Sequence, residues 1–330
     1  MTILRAALVL SLLAASATQE KPKEYSKRIA LKVASRTWRD KKAFDIDAAV
    51  RKKLDEAGLQ ALAAEAPGAD ATMIVDYSET KGPGYGVTDM DVQEYGTKIT
   101  CTVRLVGPGM SDEDARVLFI QTATPEKGEM FGLYGAALKE FKADPTWVYL
   151  EHLVAADLGV KESFLRLMEL LRQHPHAPAA LILKKQGWEP VEARDQAYLA
   201  AARRDYVRCA ELGTAAGDAL LLNLMALKKQ TWDRSKFQPA LGPEDERLLK
   251  ALAAVGERRA GPPVLELCAK FGALHPKIDY PGLILLLETY GDVGDDRGLD
   301  ALKAIERGGN PTVEAAAKAA AGKITARQGK

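Results

Sequence analysis

From Lys27 to about Thr124 the chain alternates hydrophobic and polar residues with a period of two, interrupted once by a helical stretch. In the first run Ile29, Leu31 and Val33 share one face and Arg28 and Lys32 the other, the pattern of a strand with one wet side. Asp45 then stands where a helix cap is needed. Ile46, Ala49, Val50, Leu54 and Ala57 form the stripe that follows, and Gly58 is placed to end it. Ala71 to Ser78 alternates again, with Ala71, Met73, Val75 and Tyr77 against Thr72, Asp76 and Ser78, although Ile74 breaks the polar side. Lys98 to Leu105 alternates cleanly, and Val117 to Thr122 makes a fourth, less regular strand. This βαβββ order predicts an α+β domain over residues 27–125: a small sheet with its helix packed on one face. The glycines and Pro83 of Lys81 to Val87 predict a mobile loop between two strands, with Tyr85 as a contact residue on it. A phosphate cradle is not expected there, because neither a P-loop spacing nor a following helix start is present.

After Asp144-Pro145 the period changes to that of helices. Val160, Phe164, Leu167, Met168 and Leu171 mark one stripe, and Pro190 is expected at the start of a helix carrying Val191, Tyr198, Ala201 and Ala202. Thr214 is placed to cap the next, with Ala216, Leu220, Leu224 and Leu227. Pro243 opens another with Leu248, Leu252 and Val255; Val264, Leu265, Cys268 and Phe271 mark a fifth, and Leu283 to Leu287 a sixth. Asp295 or Asp296 is expected to start a helix ending near Gly308, and Asn310-Pro311 to cap the last, with Val313, Ala316, Ala317, Ala320 and Ile324. Short connections between helices predict antiparallel pairs, stacked over residues 145–330, with 126–144 as a helical linker.

Two segments resemble HEAT-type helical repeats. Leu287 to Ile324 is similar to the superfamily's bilin-lyase-like branch: a helix ending in Gly291-Asp292, a second with spaced leucines, an Asn310-Pro311 turn and an Ala-rich helix. Leu183 to Leu220 resembles a variant repeat. It opens on Gly187-Trp188-Glu189-Pro190 and continues to an Asp205-Tyr206 pair before Leu212-Gly213. Tyr206 stands where tryptophan is commoner, and the repeats are irregularly spaced. The likeness covers about half the chain and implies an α-solenoid, a fold that does not itself specify chemistry. One hairpin cannot bury its own apolar face, so Trp188 is expected to plug the gap between neighbours.

Residues 1–17, MTILRAALVLSLLAASA, have one basic residue (Arg5), a short apolar run and the small residues Ala15-Ser16-Ala17, the pattern of a cleavable signal peptide. No cysteine lies nearby for lipid attachment, so a secreted or periplasmic protein is expected. The 330 residues are 47% hydrophobic and carry a formal charge of +1, and losing Arg5 with the leader makes the remainder neutral. That balance argues against nucleic acid as a partner. An odd number of cysteines (Cys101, Cys209 and Cys268) cannot all pair within the chain, and their places on apolar faces predict small buried hydrophobes.

Of the four histidines, His174 and His176 flank a proline at a predicted helix exit, but no cysteine or patterned carboxylate completes a metal set. Asp292, Asp295, Asp296 and Asp300 are the densest acids, without EF-hand spacing. Glu151-His152 is not a zinc-protease motif, there is no His-Glu pair of the kind repeated in HEAT-like hydroxylases, and no nucleophile motif occurs. Arg203-Arg204 and Arg258-Arg259 are short clusters offset by acids, as on solvated helix faces. No catalytic, cofactor-binding or metal residue is therefore assigned, and no cofactor is expected. The expected function is that of an exported binding or scaffold protein recognising a protein or envelope polymer. The competing readings are an envelope enzyme with a site between the halves, or a self-assembling structural protein.

Overall fold

The structure is a computed structural model that describes residues 24–39, 43–86, 93–124, 133–231, 241–273, 280–308 and 310–329. It has the α+β-then-helical organisation expected, with a five-stranded sheet of order β2-β1-β3-β4-β5. The strands are β1 (Lys27–Thr37), β2 (Leu59–Leu62), β3 (Ala71–Gly86), β4 (Gln93–Val106) and β5 (Arg116–Ala123). β1 pairs in parallel with both β2 and β3, while β3, β4 and β5 are antiparallel. β2 was not foreseen, because its four residues, LQAL, are too few to show a period.

The expected loop at Lys81 to Val87 is instead strand as far as Gly86. β3 stays paired with β4 through Gly86 opposite Gln93, with one register shift between Lys81 and Gly84 that accommodates Pro83. Gly82 is needed there because a Cβ would lie 3.0 Å from the Gly96 backbone. The side chain of Tyr85 and residues 87–92 lie outside the described residues, as does the leader-like segment.

Helix α1 (Ile46–Glu56) begins as expected: the Asp45 side chain accepts a hydrogen bond from the Ala48 amide, and Ile46, Val50 and Leu54 are buried. Gly58 closes it in the left-handed region at φ 70°. α1 and α2 (Leu133–Ala143) cover the apolar sheet face formed by Ile29, Leu31, Met73, Val75, Tyr77, Ile99, Cys101 and Val103. α2 falls in the stretch read as a linker. It lies on β4 and β5, held by the Gln121 amide donating to the Phe141 carbonyl at 2.7 Å.

The helical region continues through α3 (Pro145–Val148), α4 (Leu150–Asp157), α5 (Glu162–Gln173), α6 (Ala177–Lys185), α7 (Ala193–Ala202), α8 (Tyr206–Glu211) and α9 (Gly217–Thr231). It ends with α10 (Pro243–Val255), α11 (Gly261–Ala273), α12 (Tyr280–Val293), α13 (Leu299–Glu306) and α14 (Pro311–Gln328). α5, α7, α9, α11 and α13 pack successively in one row, and α8, α10, α12 and α14 in a second. This is the stacking of hairpins that cannot bury their faces alone. Three helix starts differ from expectation; at one, Asp295 caps a 3-10 turn at Asp296–Gly298 and α13 begins only at Leu299. Pro190 stands before α7 with Val191 in solvent, and a 3-10 turn at Gly213–Ala216, rather than a Thr214 cap, leads into α9.

The two halves share one core. Phe44, Tyr77, Phe141 and Trp147 meet with ring centroids 5.0–6.5 Å apart, mostly edge to face, joining the loop before α1, the sheet, α2 and α3. Lys53 of α1 donates to the Val148 carbonyl and to Glu151, both at 3.0 Å. Asp157, buried at the end of α4, is bridged by Arg116 of β5 and Lys185 of α6.

The C-terminal helices close around Tyr290, whose hydroxyl donates to the Asp295 carbonyl at 3.2 Å. A Cβ at Gly294 would sit 2.6 Å from that ring, and one at Gly298 would overlap the hydroxyl. Gly291, expected to serve a helix exit, lies inside α12, where a Cβ would come within 3.0 Å of Ala320 in α14. We expect Gly298→Ala to destabilise the fold by about 1–3 kcal/mol through overpacking, read as a lowered urea midpoint. An unchanged midpoint would mean that the Tyr290 socket is not rigid.

Candidate functional site

At the end of α6 the chain makes a sharp turn. Gly187 is left-handed (φ 62°) and its amide donates to the Lys184 carbonyl, while the Trp188 amide reaches back to the Leu183 carbonyl, both at 3.0 Å. These bonds satisfy carbonyls that a helix end leaves unpaired. The turn carries Trp188 to α5, where it meets Phe164 at 5.9 Å between ring centroids. Trp188 thus packs against α5 but stays half-buried. Its remaining surface lines a groove with Leu165, Met168, Pro190 and Val191, a cavity of about 420 Å³. Leu165 is 64% exposed and Val191 95% exposed. Large aliphatic side chains standing open around an aromatic floor are what a buried-anchor contact uses.

The rim is acidic. Arg172 grips Asp195 with two hydrogen bonds, 2.8 and 2.5 Å, and this pairing raises its guanidinium further above the usual range. Glu169 is paired with Arg166 at 2.9 Å. Glu192, the residue before α7, makes no side-chain capping bond. Carboxylates outnumber the one cation lining the groove.

Several other chemically capable groups are engaged within the fold, although the buried Nδ1 of His152 has no hydrogen-bond partner among the described residues. Glu79 of β3 is 2% exposed and accepts six hydrogen bonds. Its Oε1 receives the Phe44 amide and the Tyr77 and Tyr134 hydroxyls; its Oε2 receives Thr37 Oγ1 and two nitrogens of Arg39, over distances of 2.7–3.2 Å. Arg39 lies over the Tyr134 ring at 3.3 Å. Burial alone would raise the Glu79 carboxyl, but bonds from Arg39, Thr37, Phe44 and Tyr77 outweigh it and hold the group below its ordinary value. The same burial, with the neighbouring Glu79 charge, pushes the Tyr77 phenol well above 10.

His176 caps α6: its Nδ1 accepts from the Ala179 amide at 3.2 Å, which leaves Nε2–H to donate to Thr146 Oγ1 at 3.1 Å. Burial lowers its pKa to about 4. His174 is the exposed residue that ends α5, and His275 lies outside the described residues. Cys101, Cys209 and Cys268 are free and fully buried, and desolvation raises all three thiols. Asp292, Asp295 and Asp300 each face a cation of their own, Lys323, Arg297 and Lys303. Among the described residues no three His, Cys, Asp or Glu side chains converge as a metal set.

Compared with protein-family models and with curated proteins, the chain matches none. Sequence reasoning singled out Trp188 but placed Val191 on a buried stripe. The overlooked signal was Pro190 itself, which is buried and ends the turn, so the helix starts three residues later.

Proposed function

We propose that the protein is an exported, non-catalytic binding or scaffold protein whose helical half seats an apolar anchor from a partner protein. One observation carries this: the groove in which Trp188 and Met168 form the floor and Leu165 and Val191 stand open to solvent. The acidic rim fits a partner segment whose Leu, Phe or Trp anchor is flanked by Lys or Arg. Export rests on the leader pattern at residues 1–17, and the HEAT-type reading is supported by the two rows of stacked helices. No helix of the described residues is long and apolar enough to cross a membrane.

The test is a photo-crosslinker at Val191, used to identify the segment that binds, followed by affinity measurement with that segment. The double variant Leu165→Glu/Val191→Glu is expected to weaken binding at least tenfold while leaving the thermal midpoint in place, since both side chains are exposed. A crosslinked segment lacking an apolar anchor, affinity indifferent to the double variant, or turnover of a small substrate by the pure protein would each overturn the reading.

A further inference from the structure

A second surface, on the sheet, exposes unpaired backbone. The Asp70 amide donates to the Arg28 carbonyl at 2.7 Å and the Trp38 amide to the Glu79 carbonyl at 3.1 Å. Even-numbered residues of β1 therefore turn their backbone groups towards β3, and odd-numbered ones towards β2. β2, however, ends at Leu62 opposite Ala30. Beyond it the N–H and C=O of Val33 and Ser35 point outward with no partner among the described residues. Beside this stretch lies a notch of about 450 Å³ between β1 and the first turn of α1, lined by Val33, Ser35, Ala43, Phe44 and Ile46 with Asp45 and Asp47 at its rim.

On the opposite face of β1 stand Lys32, Ala34 and Arg36. Across that open face Arg104 is paired with Asp76 and Lys32 with Asp112, whereas Arg28, Arg36 and Lys98 have no salt bridge among the described residues. An almost neutral chain thus carries an excess of positive charge on this one sheet face.

We propose that the free edge of β1 takes an extended protein segment as an added strand, its side chains alternately apolar, entering the notch, and acidic, lying beside Lys32 and Arg36. The backbone supplies the attraction through strand addition, and the two faces of the edge read the alternation. A second copy of the chain fits less well: antiparallel pairing about Ala34 would set Lys32 against the other copy's Arg36, like charges directly opposed. This site is separate from the Trp188 groove and does not depend on the reading given to that groove.

The test uses the full protein without its leader and two capped octapeptides, one alternating valine with glutamate and one alternating valine with lysine. The glutamate peptide is expected to slow hydrogen exchange of the Val33 and Ser35 amides at least tenfold and to bind at least tenfold more tightly than the lysine peptide. Arg36→Glu, a change at an exposed position, is expected to abolish or reverse that preference; Leu165→Glu/Val191→Glu is expected to leave it intact. Edge amides that stay unprotected at saturating peptide, or equal binding of both peptides, would overturn the proposal. So would edge amides already protected in a dimer without peptide, which would assign the edge to self-association.

Discussion

Glu79→Ala is expected to lower the unfolding free energy by about 3–5 kcal/mol, the cost of breaking a buried charged pair by removing one partner. Among the described residues the carboxylate is the one acceptor of the Tyr77 and Tyr134 hydroxyls, the Phe44 amide and the Arg39 guanidinium, and all of these lose it at once. Glu79→Gln keeps the volume but turns an amide NH₂ towards donors, so it is expected to recover little of the loss. Thr37→Val, which removes one of the six donors, is expected to cost only about 1 kcal/mol. Urea titrations of the three variants check the order. A Glu79→Ala loss under about 1 kcal/mol would show that water satisfies these donors and that the cluster does not clamp α2 and the loop before α1 to the sheet.

Acid should weaken the protein through His176. Its folded pKa is lowered to about 4 from 6.5, because burial disfavours the charged ring and the nearby His174 adds to that, against the opposing pull of Asp144. Between these two values the unfolded chain binds the proton and the folded chain does not. The contribution is therefore complete above pH 6.5 and is lost as pH falls towards 4. At 1.36 kcal/mol per pK unit the loss comes to about 3 kcal/mol. Protonation would also place N–H at Nδ1, where the Ala179 amide is already donating. His176→Asn keeps a capping acceptor without the titration. Its urea-derived stability should fall less than that of the wild type over this window, and parallel pH profiles would remove His176 as the cause.

Much of the fold was legible because burial here follows period. Spacing alone puts Ile29, Leu31, Val50, Leu54, Met73, Val75, Ile99 and Val103 on inner faces, and all are buried. Asp45, Gly58 and Asn310 cap or close helices by local hydrogen-bond chemistry that does not need the rest of the chain. The rest depends on contacts distant in sequence. Glu79 falls on the inward parity of β3, two residues after Tyr77, yet an acid there looks like the end of a strand until Thr37, Arg39 and Tyr134 are brought to it. The free edge of β1 is invisible in sequence because it exists only where β2 stops short. The groove is half legible: Gly187-Trp188-Glu189-Pro190 marks the turn, but which side of Trp188 stays open depends on how α5 packs.

The ring cluster of Phe44, Tyr77, Phe141 and Trp147 bears on how portable the two halves are. Trp147, Leu150 and Leu153 open the helical array and are buried in the same core as Phe141 at the end of the sheet layer. A cut between Ala143 and Pro145 would strip both sides of an apolar face and leave each fragment sticky. Sheet and helices therefore cannot be separated without exposing that core, and a graft onto another protein would have to carry both.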